Sequence, residues 1–132
     1  MFKVNQTTRS NCFQACVAFV LQMPLEEAFN HEPYSDEEWF IEFNKWLKQY
    51  GLGCIFVEMS TEKPVSTTSF EGIHIAECMS ETLYNGVRHA VVIHNHFELL
   101  HDPLPNAKEQ GEMQGVYIFV PLEPYKLVRK IR

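Results

Sequence analysis

The sequence predicts an α+β domain in which a central buried helix packs on a mainly antiparallel β-sheet. Three observations lead there. Segments with helical apolar spacing fill the first half and strand-like segments the second, an order that favours antiparallel pairing over alternating strand–helix units. One helical segment, beginning at Cys12, is apolar nearly all round (Phe13, Ala15, Cys16, Val17, Ala18, Phe19, Val20, Leu21), as a helix covered on every side must be. The 132 residues, 45% hydrophobic with ten Phe, five Tyr and two Trp, are enough for one core without disulfide or metal staples. Residues 1–132 are therefore read as a single domain.

The elements follow in order. Asn11 is an N-cap residue type, and "CFQACVAFVLQ" after it runs until Pro24 forbids continuation. "PLEEAFN" predicts a short second helix opened by Pro24. In "YSDEEWFIEFNKWLKQYG", Ser35 with Glu38 forms a capping-box pattern, acids fill the first turn, and Gly51 stops the helix. Its Phe40, Phe43, Trp46 and Leu47, with Trp39 adjacent, form a core-facing stripe. Strands are predicted over "GCIFVEM", "IHIAECM", "HAVVIHNHFELLHD" and "GVYIFVPL", with a Ser/Thr/Pro-containing loop, "STEKPVSTTSFEG", after the first. In "IHIAECM", Ile73, Ile75 and Glu77 alternate against His74, Ala76 and Cys78.

Several function classes are disfavoured. A formal charge of −6 argues against a nucleic-acid backbone as the main partner. The basic ending "YKLVRKIR" reads as a last strand with solvated charges. No run of ~18 apolar residues is present, so no membrane span is expected. The N-terminus lacks the apolar stretch of a secretory signal. The four cysteines, Cys12, Cys16, Cys54 and Cys78, contain no C-x-x-C pair. They are read as free thiols in a reducing cytoplasm, not as a zinc or disulfide framework.

The chemistry lies in "RHAVVIHNHFELLHDPLP". A two-residue turn at Asn95-His96 would pair His94 with Phe97, Val92 with Leu99 and His89 with Asp102. Directly paired residues share a face, with Cβ atoms roughly 4.5–5.5 Å apart. Pro103 then ends the strand. An imidazole beside a carboxylate is what a cysteine nucleophile requires. The thiolate is the attacking form, and a helix N-terminus and an adjacent imidazolium both favour it. Cys12 has the first by its position, His89 supplies the second, and Asp102 holds the ring in the useful tautomer. The backbone N–H of Cys12 and the side-chain amide of Gln6 are the oxyanion donors at hand.

These residues resemble a known family. "QTTRSNCFQAC", with Gln6 six positions before Cys12, is similar to the Q-x-x-x-x-D-C-G-x-x-C start of papain-like cysteine peptidases of the bacteriocin-leader-processing kind. "RHAVVIHN" and "LLHDPLP" resemble the G-H-x-V-V and H-D-P signatures of those proteins and their small bacterial and phage relatives. "IHIAECMSETLYNGVRHAVV" resembles the strand and loop before the histidine. The resemblance covers Gln6–Pro24 and Ile73–Pro105 and implies a papain-like fold. It implies a hydrolase that cleaves peptide, isopeptide or side-chain amide bonds in a protein or peptide substrate through a thioester, without cofactor or metal. In that reading Cys12 is the nucleophile, His89 the general base and acid, Asp102 its orienter, and Gln6 lines the oxyanion hole. Asn11 stands where the family has Asp, and Phe13 where it has Gly.

Other readings accompany these. Cys16, one turn deeper, is expected in the core. His94, His96 and His101 are expected to be solvated hairpin-tip histidines and not zinc ligands, since no further Cys or carboxylate has ligand spacing. The same triad would also serve glutamine deamidation or transamidation. A sulfur walled in by Phe13 would instead fit a papain-like fold reused as a non-catalytic binding module.

Overall fold

A computed structural model describes residues 1–59, 72–80, 88–94, 98–105 and 110–123. Its first helix, α1, spans Cys12–Leu21. Phe13 and every residue from Ala15 to Phe19 are buried, as an almost wholly apolar sequence requires. The helix ends at Leu21, three positions before Pro24. Gln22 takes the left-handed conformation (φ 53°) and the Met23 N–H closes on the Ala18 carbonyl at 2.9 Å.

The expected second helix is only a single 3₁₀ turn, Leu25–Glu27. The second α-helix, α2, spans Trp39–Leu47, and a 3₁₀ turn over Lys48–Tyr50 follows it. The Ser35–Glu38 capping box does not form: helix α2 starts later, and it is the Ser35 backbone carbonyl that accepts the N–H groups of Glu38 and Trp39. Residues 33–38 are all exposed. With no apolar face to bury, a helical turn there lacks the packing that sustains short helices. The expected stop holds, with Gly51 at φ 73° and its N–H on the Lys48 carbonyl.

Five strands complete the α+β architecture: β1 (Leu52–Glu58), β2 (Ile73–Ser80), β3 (Arg88–His94), β4 (Glu98–His101) and β5 (Gln110–Pro121). They form one antiparallel sheet in the order β1-β5-β2-β3-β4. The long β5 begins five residues before the expected Gly115. Ile75 pairs with Val92 and Tyr117 on the face that packs against both helices, while Ala76 pairs with Val91 and Val116 on the other. Both rows are buried, so both faces of β2 are covered here. The predicted loop over 60–72 (apart from Gly72), the turn at 95–96 and the basic tail over 125–132 lie outside the described residues. No described helix is long and apolar enough to cross a membrane.

The segment before α1 is strapped to the end of β4. The buried His101 donates from Nε2 to the Val4 carbonyl at 2.7 Å and stacks on Phe19 (centroids 4.8 Å apart). Two residues on, the Gln6 N–H donates to the Pro103 carbonyl at 2.8 Å. His101 is thus a buried structural residue, not the solvated histidine expected from the sequence. Its replacement by Ala would orphan a carbonyl and open a cavity against Phe19, so His101→Ala is expected to lower stability by about 2 kcal/mol. Urea denaturation monitored by circular dichroism measures this.

Candidate active site

Cys12 is the first residue of α1 and is partly exposed. The expected side-chain cap is absent. Asn11 turns its Oδ1 backwards to accept the N–H groups of Thr7 and Thr8, both at 3.0 Å, and its Nδ2 donates to Thr7 Oγ1. Asn11 therefore braces the loop before the helix. The first N–H groups of α1 lack helical partners by geometry, and here they receive no side-chain cap. No acid stands in the first turn to neutralise the positive end of the helix dipole.

His89, on β3, is 3% exposed, and its Nε2 meets Asp102 Oδ1 at 2.7 Å. The expected contact is present, but the expected register is not. His94 pairs with Glu98, Ile93 with Leu99, and Val92 with His101, so β4 advances by two residues where β3 advances by one. A bulge of this kind leaves one residue unpaired and bends the strand. Asp102 consequently lies just past β4 and reaches His89 from the turn. The same Oδ1 accepts the Leu104 N–H at 2.9 Å, a turn geometry natural to Asp.

These contacts order the imidazole. A carboxylate only accepts, so Nε2 carries its hydrogen and Nδ1 is the nitrogen left for chemistry. Nδ1 is buried with no hydrogen-bond partner. Cys12 interacts with the ring at a geometry short of a hydrogen bond, a looseness common in unliganded sites. Burial works against the charged ring, but the Asp102 hydrogen bond, the Cys12 side chain and the Asp102 charge outweigh it. The His89 pKa is raised to about 9. The other thiols are shut away: burial pushes Cys54 and Cys78 up to about 12, and Cys16 well above the usual thiol range.

Cys12 and His89 open into one cavity of about 720 Å³, whose walls also include Arg9, Asp36, Trp39, Phe56, Glu77 and Tyr117. Phe13 lines the same cavity. Its ring is 8% exposed and packs edge-on against Trp39, Phe43 and Tyr117 at 5.0–5.4 Å. Gln6 is buried in the strapped loop, off the cavity wall, with Nε2 donating one hydrogen to the Thr8 carbonyl at 2.9 Å and Oε1 unpaired. Among the described residues no group of three potential ligands is placed to hold a metal ion. Phe56 and Tyr117 were read from the sequence only as strand residues, with no sign that they share a cavity with Cys12.

The His89 pKa has a thermodynamic consequence. A free imidazole titrates near ~6.5, so the folded chain binds this proton more tightly than the unfolded one. That contribution is complete below about pH 6.5 and is lost as pH rises through about 9. The urea midpoint is expected to fall between pH 6.5 and 9.5, and to fall less in His89→Gln. Neither a family model nor a curated protein matches this sequence.

Proposed function

We propose that the chain is a cysteine-dependent amide hydrolase of papain-like fold, acting on a protein or peptide substrate in a reducing compartment. The observation that carries this reading is the order Cys12–His89–Asp102: a thiol at an uncapped helix N-terminus, an imidazole whose Nε2 is held at 2.7 Å by a carboxylate, and a shared cavity. Four unpaired cysteines fit the compartment.

In this mechanism the Cys12 thiolate attacks the carbonyl carbon and the carbonyl π electrons move to oxygen. The developing oxyanion is met by N–H groups of the first turn of α1; Gln6, off the cavity wall, takes no part in this step. As the tetrahedral intermediate collapses, the C–N bond breaks and the Nδ1 proton of His89 passes to the leaving amine, which leaves a thioester. Water then attacks the thioester, with His89 taking its proton, and Cys12 is released with a carboxylic acid. Asp102 keeps Nε2 protonated and the ring oriented throughout.

The test is iodoacetamide labelling against pH, read at each cysteine by mass spectrometry. Cys12 is expected to react well below pH 8 and at least about tenfold faster than Cys54 or Cys78. In His89→Ala that advantage is expected to disappear. Equal rates at Cys12, Cys54 and Cys78 in the wild type would remove the enzyme reading and leave a binding module. Asp102→Asn, which preserves shape and removes charge, is expected to slow Cys12 labelling at neutral pH by about tenfold or more.

A further inference from the structure

The cavity wall beyond Cys12 is aromatic, and its outermost ring is held by a glycine. Phe56 lies on the edge strand β1 opposite Tyr117 of β5, and the two ring centroids are 4.6 Å apart. Phe56 is 37% exposed, whereas Tyr117 is buried and braced by Phe13 at 5.0 Å and Trp39 at 6.0 Å. Gly115, two residues before Tyr117, sits under the Phe56 ring. A Cβ there would lie 2.3 Å from Phe56 Cζ and 2.5 Å from Cε2. The Gly115 backbone is outside the left-handed region, so its conformation does not call for glycine. What the missing side chain provides is room for the ring to lie against β5.

Resting on the cysteine-hydrolase reading, we infer that Phe56, seated over Gly115 and against Tyr117, is a specificity-determining wall that selects substrates with a bulky aromatic residue beside the scissile carbonyl. The cavity has the size of pockets that enclose several residues or a drug-sized ligand, roughly 300–1,000 Å³. A segment of small residues would leave the exposed ring of Phe56 and the indole of Trp39 in water. An aromatic side chain covers them and gains edge-to-face or offset-stacked contacts. The carboxylates of Asp36 and Glu77 are also on the wall and define the competing occupant, a basic side chain. Glu77 Oε2 already accepts the Tyr117 hydroxyl at 3.1 Å, and Arg9 on the same wall opposes a cation. The aromatic occupant is therefore the one favoured.

Acetyl-dipeptide chloromethyl ketones test this without a known substrate. The Cys12 sulfur displaces chloride, so each alkylation adds a defined mass. The panel varies the last two residues among Phe, Leu, Lys, Ala and Gly, and each rate is divided by the iodoacetamide rate of the same protein. Wild type is expected to prefer a Phe-bearing probe over its Gly counterpart by about tenfold or more, the scale of hydrophobic-pocket discrimination. The ratio is expected to fall towards one in Phe56→Ala, and to fall in Gly115→Ala, where the ring is kept but displaced. Phe56→Leu gives an intermediate ratio and guards against a misfolded alanine variant. A wild-type ratio near one, fastest reaction with a Lys-bearing probe, or a preference unchanged in both Phe56 variants overturns the inference while a reactive Cys12 leaves the hydrolase reading standing. A Cys12 no faster than Cys54 with iodoacetamide overturns both.

Discussion

Burying α1 is the constraint on which the arrangement depends. An almost uncharged helix must be covered on every side, so it packs on β3 and β2 of the sheet, and its own Phe13 meets Trp39 and Phe43 of α2. Once its axis is fixed there, its N-terminus emerges at the end of the sheet where β3 begins and β4 stops. Cys12 therefore meets His89 because of where a hydrophobic cylinder fits. The strap from Val4 and Gln6 to His101 and Pro103 sets the angle at which the chain enters the helix. It also ties the thiol's own loop to the segment carrying Asp102.

Asp102 shows how such an assembly is made rigid. One carboxylate oxygen is shared between the His89 ring and the Leu104 N–H, so the ring is oriented by a turn whose geometry is local and stiff. Asn11 plays the corresponding part on the thiol side. By bonding to Thr7 and Thr8 it orders the approach to Cys12, and it leaves the first turn of the helix without a side-chain cap. A residue that usually caps here keeps a helix end uncapped.

The order of helices and strands, the buried helix and the His89–Asp102 contact were legible in the sequence, because each is written in local periodicity or at a strand's end. The register was not. An unpaired residue in β4 changes which residues face one another without disturbing the alternation of "FELLHD", and the contact survives only because Asp102 leaves the strand and reaches back. The start of α2 was hidden for a related reason: Ser35 and Glu38 have the composition of a cap, but helix formation waits for the apolar surface that arrives at Trp39. The aromatic wall was the least visible part. Trp39, Phe56 and Tyr117 come from three elements and meet through tertiary packing, which no short spacing encodes.

The two tryptophans divide the molecule into a listening part and a silent one. Both are half-buried, but Trp46 packs with Phe29, Phe43 and Tyr50 away from the cavity wall, whereas Trp39 forms part of that wall. Any guest that settles beside Cys12 dries one indole and leaves the other as it was. The protein thus carries an intrinsic optical reporter of occupancy together with its own internal reference, and a shift in emission would register a visitor before any bond is cut.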